Sequence, residues 1–152
     1  MKKILLFLLL TLTACGFRPM YSGDDMSIYV SPIDGINGIE LRNALNTQFG
    51  GPHDETAKYK LVVSLDEPLI QYKALAQTGD TTWQEISIKA NYKILYDNKE
   101  IASGTERASE SYTFVRYLVA SNASYNNAVK NTISVLAKKI GARVISQTQK
   151  AE

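Results

Sequence analysis

Between Ile86 and Tyr96 the chain alternates with a period of two. Ile86, Ile88, Ala90, Tyr92, Ile94 and Tyr96 fall on one side, and Glu85, Ser87, Lys89, Asn91 and Lys93 on the other, with Leu95 the exception. Successive side chains of a strand point to opposite faces, so this stretch demands a sheet with one dry face and one wet face. The dry face needs a cover, and the stretch that can supply it comes last. Tyr125, Val129, Thr132, Ile133, Leu136, Ala137, Ile140 and Val144 recur at intervals of three and four, with Lys130, Lys138, Lys139 and Arg143 off that stripe or on its edges. The spacing predicts a long helix over Ser124–Ser146, followed by a fraying tail.

The remaining elements follow from shorter signals. Met26 to Ser31 is an alternating, β-branched first strand, ended by Pro32. Leu41, Ala44, Leu45, Gln48 and Phe49 have helical spacing, with Asn37 or Gly38 near the N-cap and Gly50-Gly51-Pro52 as the stop, giving a helix of about eleven residues. Tyr59, Leu61, Val63 and Leu65 make a second strand, which Pro68 interrupts and which Leu69–Leu75 continues past a bulge. Thr78-Gly79-Asp80 and Asp97-Asn98 read as hairpin turns, and Lys99–Tyr112 as a fourth strand carrying Glu100, Glu106, Arg107 and Glu110. The expected fold is α+β, a two-layer sandwich with two helices on one face of a four-stranded, mostly antiparallel sheet in the order β-α-β-β-β-α.

The first fifteen residues carry a different signal. Lys2 and Lys3 precede an apolar run from Ile4 to Leu12, then Thr13-Ala14, then Cys15, the only cysteine. That order is a secretory signal peptide with a small-residue cleavage site. Its run of about nine apolar residues would make roughly 14 Å of helix, against a bilayer core of about 30 Å, and is too short to span. Leu12-Thr13-Ala14-Cys15 resembles the lipobox of bacterial lipoproteins, in which the cysteine sulfur takes a diacylglycerol and the peptide is cut before it. The expected organisation is a removed signal peptide over 1–14, a lipidated tether over 15–25, one α+β domain over 26–146 and a frayed tail over 147–152. Gly16 follows the cysteine where an inner-membrane retention aspartate would stand, so by resemblance to that sorting rule the outer membrane is the destination.

Charge and residue counts exclude several classes. Of 17 basic residues two leave with the signal, so 15 face 15 acidic ones, and the mature chain has no basic excess for nucleic acid. With Cys15 lipidated no disulfide forms, and the fold rests on its core. His53 is the only histidine and sits in the loop Gly50-Gly51-Pro52-His53-Asp54, a solvated position. A zinc site or a Cys–His nucleophile pair has too few ligands, and no glycine-rich phosphate loop occurs. The chain reads as a non-enzyme without cofactor or metal.

The mature opening is Cys15-Gly16-Phe17-Arg18-Pro19-Met20-Tyr21, aromatic where most lipoproteins carry a polar tether. It resembles the opening of the LptE family of lipopolysaccharide-assembly lipoproteins, and the likeness continues, more loosely, in element order and length. The resemblance implies an outer-membrane lipoprotein that works with the β-barrel LptD as plug or scaffold and binds lipopolysaccharide. Phosphates of that glycolipid favour Arg and Lys. Lys89 and Lys93 share the wet face of one strand and are the first candidates; Arg107 on the neighbouring strand and Arg116 in the following loop come next. Relatives often carry Thr-Arg entering the third strand, where this chain has Thr82-Trp83. Trp83 is either an aromatic contact with the barrel or the edge of the core. The alternative is a lipoprotein partner of an inner-membrane lipid transporter, or an outer-membrane scaffold without ligand.

Overall fold

The computed structural model describes residues 26–75, 81–114 and 117–149. The strands are β1 (Ile28–Val30), β2 (Tyr59–Leu65), β3 (Leu69–Leu75), β4 (Thr81–Tyr96) and β5 (Lys99–Thr113), and the helices are α1 (Ile36–Gln48) and α2 (Leu118–Thr148). The α+β sandwich expected from the alternation is present, with one strand more than expected.

The long strand β4 is the axis of the sheet. Along one edge β5 pairs with it antiparallel, from Trp83↔Thr113 to Tyr96↔Lys99. Along the other edge two strands share it end to end: β2 takes Ala90–Tyr96, and β3 takes Thr81–Ser87. The expected single strand with a bulge is therefore two strands. Pro68 has no N–H to give to a ladder, and the Asp66 N–H donates instead to the Lys89 carbonyl at 2.9 Å, which ends β2. β1 lies parallel to β2, in register Ile28↔Tyr59. Asp97 and Asn98 close the β4–β5 hairpin with φ of 48° and 59°, the left-handed pair that a two-residue turn of matching twist requires. The turn expected at Thr78-Gly79-Asp80 lies outside the described residues, although the strands on either side of it pair antiparallel.

The dry face is as the alternation demands: Ile86, Ile88, Ala90, Tyr92 and Ile94 are buried. Tyr96 departs from it and is half-exposed. A register shift between Ile94 and Leu95 ends the regular pleat, and the Tyr96 ring packs on Tyr59 with centroids 5.5 Å apart. Over this face α2 lays Leu136, Ala137, Ile140 and Val144, and α1 adds Leu41 and Leu45, with Phe49 just past its end. Phe49 is among the largest fully buried side chains. Phe49→Ala is expected to cost about 3–5 kcal/mol of unfolding free energy, read from urea denaturation.

Apart from the glycine stop of α1, which is as expected, the helix ends differ from expectation for local reasons. α1 starts after Gly35, whose φ of 81° suits glycine and whose carbonyl accepts the Ile39 N–H at 3.0 Å. Gly38 serves packing instead, since a Cβ there would lie 2.6 Å from the Ile33 carbonyl oxygen. At the other end Gly50 is left-handed at φ 89°, and the Gly51 N–H returns to the Asn46 carbonyl, a glycine C-cap. α2 begins six residues before Ser124 and ends two after Ser146. In its last turn the Thr148 hydroxyl donates back to the Val144 carbonyl at 3.1 Å.

Candidate functional site

The wet face of the sheet carries the candidate cations, and the ladder decides which of them meet. Lys89 stands directly opposite Arg107 across the β4–β5 pair, so both side chains leave the same face, with Cβ atoms about 5 Å apart. Lys93 stands two rows further on, between Val62 of β2 and Ser103 of β5. The structure thus brings Lys89, Lys93 and Arg107 onto one surface. Cys15 and Arg116 lie outside the described residues.

Carboxylates reach two of the three cations. Lys89 Nζ is 3.3 Å from Asp66 Oδ2, and Lys93 Nζ is 3.1 Å from Glu100 Oε2. The Glu100 carboxyl is held below its usual range, first by a hydrogen bond from Ser103 and then by Lys93. Among the described residues no carboxylate pairs with Arg107, so the Lys89–Arg107 step carries one more positive than negative charge. Exposed ion pairs of this kind contribute no more than about 1 kcal/mol. An anion arriving from solution competes with Asp66 and Glu100 at little cost.

Beside Lys93 the face dips into a shallow basin of about 340 Å³, lined by Val62, Ser64, Asn91, Lys93, Ser103 and Thr105. The Thr105 hydroxyl donates to Asn91 Oδ1 at 2.7 Å. Hydroxyls continue along β5, where Ser109, Ser111 and Thr113 stand opposite Ser87, Glu85 and Trp83. The arrangement is a flat sheet of hydroxyls and amides with cations set into it. It can hydrogen-bond many small polar groups and attract a phosphate or carboxylate.

The hydroxyl row is a period-two pattern that the sequence carries without the contrast of an apolar face. Ser103, Thr105, Ser109, Ser111 and Thr113 recur every second residue apart from Arg107, with acidic residues among the positions between. Those acids belong to the other face. Glu106 stands opposite Ala90 and receives Arg143 of α2 at 3.1 Å. Gly104, opposite Tyr92, leaves room for the tyrosine ring, because a Cβ there would lie 2.6 Å from the Tyr92 hydroxyl.

Two further residues stand apart from these cations. His53 lies in the loop after α1, half-buried rather than solvated, with Nε2 3.5 Å from the Phe49 carbonyl. Its neighbour Asp54 accepts from the Thr56 hydroxyl and amide, which hold its carboxyl below the usual range. Trp83 is half-exposed on the wet face at the far end of β4. No group of three or more His, Cys, Asp or Glu side chains able to hold a metal occurs among the described residues.

No family model and no curated protein matches the chain by sequence. Solved structures match it in fold. A presumed lipoprotein of Caulobacter crescentus superposes with a TM-score of 0.67 at 19% identity, covering 84% of this chain and 93% of that one. The rare lipoprotein B of Shewanella oneidensis gives 0.66 at 16% identity, over 82% and 96%. Lipoprotein B of Nitrosomonas europaea gives 0.59 at 15%, over 80% and 83%. The chain has the fold of these bacterial lipoproteins. At such identities the likeness speaks for the fold, and residue roles rest on this chain's own geometry.

Proposed function

We propose that this chain is an outer-membrane lipoprotein, anchored through Cys15 on the periplasmic side, that works with the β-barrel LptD in assembling lipopolysaccharide into the outer leaflet. The observation that carries the reading is the lipobox followed at once by Cys15-Gly16-Phe17-Arg18-Pro19-Met20-Tyr21, the opening that resembles LptE. The fold supports it, since lipoproteins from several bacteria have the same one. Among the described residues no helix is long and apolar enough to cross a membrane, so the lipid is the expected attachment.

In this reading the wet sheet face is the glycolipid surface. Lys89, Lys93 and Arg107 take the phosphates, and the Ser and Thr rows of β5 take sugar hydroxyls. Arg107 presents a planar fork suited to two phosphate oxygens at once. The surface also suits a barrel lumen, which is polar. Isolation of the tagged lipoprotein from outer membranes, with identification of what comes with it, tests the partner. A roughly equimolar large β-barrel supports the reading, and inner-membrane transporter components favour the alternative.

A further inference from the structure

The domain has two unlike poles. Met26 and β1 begin beside Tyr59, which pairs with Tyr96 at the hairpin end of β4. The tether from Cys15 therefore enters at that end. The opposite pole is the start of β4, the end of β5 and the first turns of α2, about 50 Å away along the 16 residues of β4.

That far pole exposes large apolar side chains where a strand-to-helix corner is ordinarily polar. Tyr117, Leu118 and Val119 are 81%, 74% and 83% exposed. Phe114 is exposed beside them, Trp83 pairs with Thr113 at the same level, and exposed Tyr72 stands opposite Gln84 one row in. Aliphatic side chains with Trp and Tyr at the same end of the domain match the composition of a membrane interface. Exposed apolar clusters of this kind mark binding surfaces.

A second feature at the same place points to a phospholipid surface. The N-terminus of α2 follows Tyr117 with no side-chain cap and no acid in its first turn. Its leading N–H groups thus have no partner in a capping side chain, and the positive end of the helix dipole lies at this pole. A bilayer interface supplies both an apolar layer for Leu118 and Val119 and phosphates for those amides.

We infer that this pole is a second membrane contact, by which the anchored chain, before any partner covers it, lies along the bilayer surface. The inference shares the Cys15 anchor with the proposed function. The 11 residues from Cys15 to Asp25 reach at most about 37 Å. That holds the near pole at the surface and leaves the far pole free to swing down to it. No helix among the described residues is apolar enough to span, so the contact is interfacial.

The test uses the mature chain, residues 15–152, carrying Cys15→Ala, so that binding owes nothing to the anchor. Vesicles of phosphatidylethanolamine and phosphatidylglycerol are floated through a gradient with it. The chain is expected to float, and the emission of Trp83, the only tryptophan, to shift to the blue. Leu118→Glu with Val119→Glu is expected to lower the partition at least about tenfold with an unchanged circular dichroism spectrum. A parent chain that stays with the lipid-free fraction would overturn the inference, whether monomeric or self-associated through this pole. Equal flotation of parent and double variant would overturn it too. Labelling of the intact chain with palmitate reports on the anchor separately.

Discussion

Replacing Cys15 by alanine is expected to abolish the entry of labelled palmitate into the chain and to leave an uncut precursor that does not reach its membrane. The effect is all-or-none because the whole expected anchor is built on one residue, beginning with the diacylglycerol on its sulfur. No other cysteine exists to take the diacylglycerol, and an alanine has no nucleophile to offer. Each buried methylene of an acyl chain contributes about 0.8 kcal/mol, and stable anchoring takes two signals. The three chains expected on a mature lipoprotein exceed that threshold, and none is present in the variant. Detection of palmitate in the Cys15→Ala chain would contradict the lipobox assignment at its root.

Reversing charge at the centre of the wet face is the second large effect. Lys89→Glu with Arg107→Glu is expected to weaken lipopolysaccharide binding by about 10- to 100-fold. The two residues are direct cross-strand neighbours, so the change replaces adjacent cations with adjacent anions. A hydrogen bond to a charged group contributes about 1.5–3 kcal/mol, and roughly 1.4 kcal/mol is a factor of ten; exposure places the sum toward the lower part of that span. Stability should move by less than about 1 kcal/mol, since surface substitutions away from the core seldom do more. Lys138→Glu, exposed on α2 and remote from this face, serves as the control and should leave binding unchanged. Titration of both variants with lipopolysaccharide, followed by light scattering or fluorescence, reads the difference. Equal affinities would return Lys89 and Arg107 to ordinary solubilising roles.

Much of the architecture was legible because burial writes itself into periodicity. The alternation in β4 and the three-and-four stripe of α2 are direct records of one dry face meeting another, and residues from both form a single core. Where packing does not dictate the residues, the reading failed. The first turns of α2 reach beyond the core and leave Leu118 and Val119 exposed, and Tyr117 is no capping residue. The break between β2 and β3 depends on how both align along β4, a long-range fact that Pro68 only hints at. The wet face was half read. Its lysines stand out as charges, but the pairing of Lys89 with Arg107 is a matter of register across the Asp97-Asn98 turn. The orientation of Glu106 toward Arg143 follows from that same register.

The most direct test of the central claim is the composition of the complex that the lipoprotein forms in its membrane. The chain, tagged at its C-terminus and expressed at its natural level, is isolated from detergent-solubilised outer membranes, and the proteins retained with it are identified and quantified by mass spectrometry. The account predicts one large β-barrel protein in a roughly one-to-one ratio, retained through a salt wash. Recovery of inner-membrane transporter components, or of the lipoprotein alone, would contradict it.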